Sequence, residues 1–387
     1  MSRVDAVRGA PAGVVRDALA DHDPLPGTGG FAGALDTTPI EVGTGGDGDD
    51  GTPLAGRGGR VVRDVLGRQP VFVDGDRWSL DPTVLDDPRL LDAGHALNLA
   101  SGDEERVWTL PDPPVVSDHG TAIETVRDAV RRSVRETDPE GLAVAFSGGI
   151  YSALVASDVD APCYVAGFPD SHDVDAARAA ASAMDRDLRV VELAHDDLRG
   201  AVPRVVAATG RTNPMDVCIA LPLFLVAERA RADGFSRLAV GQGADELFGG
   251  YAKVVSPATD GRVDADTVRG ARRETVETLP SQLERDVLAL RAAGVEPVAP
   301  LLHDRVVRAA LPLPAELLAT DEERKVALRL AAEGVLPASV RTREKKALQY
   351  GSLVSRELDR LARRAGYKRR MDDHVGQYVR SLIDDAE

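Results

Sequence analysis

Lysine is scarce in this chain: five occur among 387 residues, against 42 arginines. Cysteine is scarcer, with only Cys163 and Cys218. Two thiols build neither a disulfide framework nor a cysteine-rich metal site, and both stand in apolar runs that read as buried core. No run of 18 or more apolar residues occurs, which excludes an ordinary membrane-spanning helix. The opening residues, MSRVDAVRG, lack the apolar centre of a signal peptide, so a cytoplasmic protein is expected. Positive charge is also short. Asp and Glu number 63 against 47 Lys and Arg, for a net charge of −16, and Asp outnumbers Glu 43 to 20. This balance argues against nucleic acid or an anionic membrane as a partner. An Asp-rich, Lys-poor surface fits a halophilic setting, because salt screens self-repulsion; a GC-rich genome would also favour Arg over Lys.

The length allows two or three domains with ample core. Residues 1–60 show little periodicity, and Ile40–Arg60, with its run TGGDGDDG, reads as a solvated loop. Pro111, Pro113 and Pro114 mark a linker over 111–117. Thr121-x-x-Glu124 has the form of a capping box, opening a helix with the apolar stripe Ile123, Val126, Val130 and Val134. Beyond it, strands over 142–146, 163–168, 188–193 and 236–240 alternate with helices from about Tyr151, over 174–184 capped by Asp173, and over 221–232. The alternation predicts an α/β fold with a parallel sheet covered on both faces and ligands at the carboxyl ends of its strands. After Lys253 the spacing predicts helices over 281–293, 303–310, 321–333 (opened by Thr320-x-x-Glu323) and 353–364.

Two motifs carry chemistry. In LAVAFSGGIYS (142–152) a strand runs into Ser147-Gly148-Gly149 and then a helix. Glycines there let successive N–H groups converge, and the helix N-terminus adds partial positive charge, which together suit pyrophosphate. Alone, such a turn is also an ordinary strand-to-helix connection. The second motif is VGQGADELFGGY (240–251). Together they resemble the asparagine synthetase family, whose synthetase domain belongs to the ATP pyrophosphatase-loop superfamily and which has β-lactam synthetase among its relatives. Further upstream, GFAGALD (30–36), VVRDVLGRQPVFVDG (61–75) and LLDAGHALNLASG (90–102) resemble the later strands of a class II glutamine amidotransferase domain. That domain uses an N-terminal cysteine; this chain has Ser2 and no cysteine before Cys163. The expected organisation is a truncated amidotransferase-like β-rich domain at 1–110, without glutamine hydrolysis by that route, and an ATP-binding domain at 118–387.

The resemblance implies a two-step ligase using ATP and Mg²⁺. A carboxylate, aspartate in the namesake enzymes, attacks the α-phosphate, pyrophosphate leaves, and ammonia displaces AMP to give an amide. It implies pyrophosphate contacts at Ser147, Gly148, Gly149 and Ser152, with Phe146, Tyr151, Ala166, Val240 and Gly241 as further ATP-binding positions. It gives Asp245 a magnesium-binding role; Glu246 is either part of that pair or structural. Lys345, in RTREKKALQYGS (341–352), would reach the adenylate phosphate, where a compact point charge is not replaced by Arg. In VEPVAPLLHDRVV (295–307), Glu296 is kept from the stretch lining the family's substrate pocket, while Val298 and His303 stand in place of an arginine and an aspartate. A free ammonia supply, a separate glutaminase partner and a homodimer are all compatible with this reading.

Two substitutions bear on activity. Tyr151 stands where the family has a magnesium-binding aspartate, and a phenol is a poor magnesium ligand at neutral pH. Gln242 stands in place of a glutamate and can neither take a proton nor attract a cation by charge. The expected function is therefore an ATP-dependent amide ligase with Lys345, Asp245 and Gln242 in its catalytic machinery. The rival is a weak or inactive relative that binds nucleotide as a sensor or partner subunit.

Overall fold

The computed structural model describes residues 3–40, 54–169, 171–343 and 353–384. They group into two compact units, each assembled from separate stretches of chain: Met1–Ala129 with Gly243–Glu284 and Leu302–Ala327, and Val130–Gln242 with Arg285–Leu301 and Leu328–Glu387.

The first unit contains an antiparallel sheet of β1 (Val4–Arg8), β2 (Ala32–Pro39), β3 (Ala55–Arg57), β4 (Arg60–Arg63), β5 (Phe72–Asp74), β6 (Arg77–Ser79), β7 (Arg89–Leu90), β8 (His95–Asn98) and β9 (Asp103–Arg106). Its order is β7-β5-β6-β3-β2-β4-β8-β9, with β1 on β2. The β-rich stretches at 30–36, 61–75 and 90–102 all contribute strands. Within the supposed loop over 40–60, residues 55–57 instead form β3, paired with both β2 and β6. A helix, α1 (Ala12–Asp21), lies in the stretch that showed no period. Only Val15 and Ala18 of it are buried, too narrow a stripe to read from sequence.

Helix α2 (His119–Arg135) buries Val126, Val130 and Val134 as expected. Its cap is not Thr121. The Asp118 carboxylate accepts the Thr121 N–H at 2.7 Å and the Asp118 carbonyl accepts from Ala122, so the helix starts earlier, and Glu124 pairs with Arg127.

The second unit is built on β10 (Leu142–Ala145), β11 (Cys163–Gly167), β12 (Leu188–Glu192), β13 (Arg237–Ala239) and β14 (Glu296–Val298), in the order β12-β11-β10-β13-β14 with every neighbouring pair parallel. The predicted α/β architecture with a parallel sheet is present. Helices α3 (Ile150–Ser157), α4 (His172–Ala183), α5 (His195–Thr209) and α6 (Pro214–Ala232) connect the strands. Ala143, Tyr164 and Leu238 join a core with Leu198 and Val202 of α5 and Leu221 and Phe224 of α6. Their strand neighbours Leu142, Val144, Cys163 and Val165 are buried as well, and by alternation they face the other side. Strands buried on both faces explain the near-continuous apolar runs.

Several boundaries differ from the sequence reading. Ser171, not Asp173, caps α4, its hydroxyl accepting the Asp173 N–H at 3.3 Å. The α6 helix begins seven residues before Leu221, with Asn213 as its cap and Pro214 in its first turn. Pro203 and Gly200 interrupt the pattern of α5 and hide it in the sequence, yet Leu198, Ala201, Val202, Val205 and Val206 are buried. Strand β14 is only three residues and contains Pro297, which masks it. Over 321–333 only Val326–Ala331 is helical. Thr320 does accept the Glu323 N–H, but a bridge between Ala319 and Arg324 closes that segment as a turn. The helices Leu279–Ala292, Asp304–Ala310 and Leu353–Arg364 match their predicted positions.

Candidate functional site

The carboxyl edge of β10 leads directly into the Ser147 loop. Phe146 is buried and its N–H donates to the Tyr164 carbonyl at 2.7 Å, carrying the strand one residue past its formal end. Gly148 has φ +68°, and a Cβ there would meet the Ala176 carbonyl oxygen at 2.7 Å and the Ala177 Cα at 2.9 Å. Backbone of α4 thus forms the floor of the loop, and only glycine combines this conformation with this approach. Ser152, in the first turn of α3, ties the loop shut: its Oγ accepts the Ser147 N–H at 3.2 Å and donates to the Gly149 carbonyl at 3.1 Å. The Ser147 N–H is therefore directed at Ser152, while the ladder of α3 begins with Ala153 N–H to Gly149. The N–H groups of Ile150, Tyr151 and Ser152 lie ahead of that ladder, as at any helix start.

The carboxyl edge of β13 lies beside it. Val240 is buried and donates to the Val298 carbonyl at 2.8 Å. A Cβ on Gly241 would stand 2.8 Å from the Tyr151 Cβ and 3.2 Å from the Ser152 N, so the chain passes against the first turn of α3. Gln242 follows, half-buried, and its Nε2 donates to Oδ2 of Asp286 on the helix Leu279–Ala292. Asp286 Oδ1 accepts from Arg285 Nε at 2.7 Å; Arg285 also donates to Asp216 at 2.7 Å, and Asp216 in turn accepts from Arg211 at 3.0 Å and Asn213 at 2.7 Å. Burial pushes the Asp286 carboxyl above its ordinary range, with Asp216 adding to the effect and Arg285 opposing it. Ala166, half-buried, belongs to β11 next to β10 in the same sheet.

Thus Phe146, Ser147, Gly148, Gly149, Tyr151, Ser152, Val240, Gly241 and Gln242 share one edge of the second unit. Glu296 does not. It opens β14, opposite Arg237 at the start of β13, which is the amino edge of a parallel sheet. There both carboxylate oxygens are held by Arg291, at 2.8 and 3.0 Å.

Asp245 and Glu246 belong to the first unit. Asp245 forms an ion pair with Lys325 at 3.0 Å. Glu246 is buried and accepts the Tyr251 hydroxyl at 2.6 Å, a structural role at the end of the same motif. His303 caps the helix Asp304–Ala310, accepting the Arg305 N–H at 3.2 Å. The next residue, Asp304, is fully buried and accepts from Gly27 and Thr28 N–H and from Arg68. Lys345 and Lys346 lie outside the described residues. Arg343, just before them, donates to the Ala176 carbonyl at 3.2 Å, the atom that forms the loop's floor.

Sequence reasoning missed Lys325, Arg343 and Asp286. Lys345 is singled out by the motif over 341–352, and Lys325 stands outside it. Asp286 falls between Leu283 and Leu290 on the buried stripe of its helix, and a carboxylate on an apolar face is a readable signal. Both cysteines are free and buried, and burial pushes their thiols up to about 12 for Cys163 and about 11 for Cys218, as expected of core residues. No helix among the described residues is long and apolar enough to cross a membrane.

A tight glycine loop feeding a helix at the carboxyl edge of a parallel sheet defines an α/β protein with an anion-suited turn. The asparagine synthase family model matches residues 122–266 and 259–383, about two thirds of the chain, and the protein belongs to that family. It is 26% identical over 295 residues to the putative asparagine synthetase [glutamine-hydrolyzing] 1 of Methanocaldococcus jannaschii, covering 67% of this chain and 54% of the relative. It is 23% identical over 257 residues to asparagine synthetase B [glutamine-hydrolyzing] of Escherichia coli, covering 61% and 45%. With the asparagine synthetase [glutamine-hydrolyzing] of Sandersonia aurantiaca it shares 24% identity over 220 residues, covering 49% and 42%. The matches span about half the length of these relatives.

Proposed function

We propose that this chain joins ammonia to a carboxylate in an ATP-driven reaction, with aspartate as the acceptor, asparagine and AMP as products, and a sheet of the adenine nucleotide alpha-hydrolase type as the scaffold. The observation that carries the reading is the Ser147–Ser152 loop, closed by Ser152 and floored by α4, beside Gly241 on one sheet edge. Family membership and the names of the relatives support the chemistry.

In this reading Gly148, Gly149 and the first N–H groups of α3 receive the pyrophosphate, while Ser152 keeps the loop in shape. Phe146, Ala166, Val240 and Gly241 border the nucleotide. An acceptor carboxylate oxygen bonds to the α-phosphorus as the bond to pyrophosphate breaks, and the leaving charge falls on donors already in place. The ammonia lone pair then forms the C–N bond, the C–O bond to AMP breaks, and a proton passes to solvent. Lys345 is assigned to the phosphate from the motif.

Magnesium is held in such sites by one or two carboxylates together with phosphate and water oxygens. Asp245, ion-paired with Lys325, is assigned as one such ligand from its motif, and Tyr151 offers no carboxylate. Bound with the nucleotide, the ion would offset charge on the phosphates.

The test is AMP release from ATP with Mg²⁺ and ammonium in high KCl, across a panel of amino acids, with glutamine as a second nitrogen source. Release that depends on aspartate and is lost in Lys345→Ala supports the reading. Folded protein that binds ATP yet releases no AMP with any acceptor would favour the second reading, a nucleotide-binding relative, to which Tyr151 beside the loop points.

A further inference from the structure

Gln242 stands in place of a glutamate, and the structure shows what stands next to it. A buried carboxylate, Asp286, takes the Gln242 Nε2–H on Oδ2 and the Arg285 Nε–H on Oδ1. From there charges alternate: Asp286, Arg285, Asp216, Arg211. A second carboxylate at 242 would place another negative charge against a buried one, which is costly. A carboxamide supplies the N–H that Asp286 accepts. It also gains a fixed orientation. Nε2 donates to Asp286 Oδ2, so Oε1 of the same carboxamide faces away from it.

We propose that Asp286 is a positioning residue that locks the Gln242 carboxamide, so that Oε1 is presented as a hydrogen-bond acceptor orienting the N–H groups of the attacking ammonia. Resting on the ligase reading above, this locates the acidic group of the motif region on the neighbouring helix instead of treating it as lost. Gly241 against Tyr151 and Ser152 places Gln242 one residue from the loop, and Gln242 is half-buried, leaving part of its surface open. In the step itself the nitrogen lone pair bonds to the acyl carbon, the C–O bond to AMP breaks with its electron pair, and the surplus proton leaves to solvent. Oε1 only holds an N–H, which aims the lone pair.

The experiment compares the natural protein with Asp286→Asn, Gln242→Glu and the double variant. Three quantities are read: acceptor-dependent ATP–pyrophosphate exchange, kcat/KM for ammonia in amide formation, and the thermal midpoint. Asp286→Asn frees the amide to flip, so kcat/KM for ammonia should fall about tenfold or more while exchange stays within about twofold. Gln242→Glu should lower the midpoint, and adding Asp286→Asn should restore it toward the natural value, because one carboxylate and one carboxamide again face each other. Exchange and amide formation falling in proportion would overturn the positioning role, as would additive midpoints. If the natural protein shows no exchange with any acceptor, the ligase reading fails separately. The thermal cycle then still tests the pair: coupled midpoints uphold the Gln242–Asp286 lock, and additive ones refute it.

Discussion

A methyl group on Gly148 would sit 2.7 Å from a backbone oxygen of α4, and the residue's φ of +68° already disfavours a side chain. Gly148→Ala is therefore expected to cost about 1–3 kcal/mol of stability and to weaken ATP binding beyond what the stability loss explains. Calorimetry of nucleotide binding at a temperature where the variant is folded checks this; unchanged affinity would mean that the loop does not receive phosphate. At this scale much was legible. The Ser-Gly-Gly turn, Gln242 and Tyr151 stood out in sequence because each is a chemically specific letter in a recognisable pattern. The partners of those letters did not stand out, because Asp286 lies 44 residues from Gln242 and only folding brings them together. Glu296 shows the opposite case: its letter was kept, yet the strand direction carries it to the amino edge and Arg291 occupies both its oxygens.

Among elements, the end of the chain offers a clear electrostatic joint. Helices Leu353–Arg364 and His374–Asp384 meet where Asp359 accepts from Arg369 at 2.7 Å, His374 at 2.8 Å and Arg363 at 3.1 Å. The Arg369 hydrogen bond first, then His374 and the charge of Arg363, hold the Asp359 carboxyl well below its ordinary value of 3.8. A carboxylate whose folded pKa is depressed contributes stability above its unfolded pKa and loses it as pH falls toward the folded value. The joint should therefore hold at neutral pH and loosen below about pH 4. Asp359→Asn should lower stability at pH 7 and flatten the acid limb. Amide hydrogen exchange over 374–384 at pH 7 and near pH 3.5 reads this directly, and equal protection in both proteins at both pH values would refute it. Of these two helices the spacing predicted Leu353–Arg364, whereas His374–Asp384 was not read from the sequence. Caps proved the weakest reading, since Asp118 and Ser171 competed locally with the residues first credited and differ from them only in backbone geometry.

For the whole molecule, the net charge of −16 implies long-range self-repulsion that salt reduces, the screening length falling from about 10 Å at 0.1 M to about 3 Å at 1 M. Raising KCl over that range should raise the thermal midpoint. A flat or falling midpoint would mean that the many Arg–carboxylate pairs, such as Arg16 with Asp5 and Arg77 with Asp74, dominate instead, since these weaken with salt. The sequence by itself determined the α/β class, the parallel sheet, the loop at its carboxyl edge and the family, because strand and helix periods and glycine turns are local and act on contiguous residues. Only the tertiary structure decided that β14 closes the parallel sheet, that the motif divides between two compact units after Gln242, and that a buried carboxylate faces Gln242. Those outcomes depend on contacts between residues far apart in the chain, whose burial and charge balance exist only once the chain has packed.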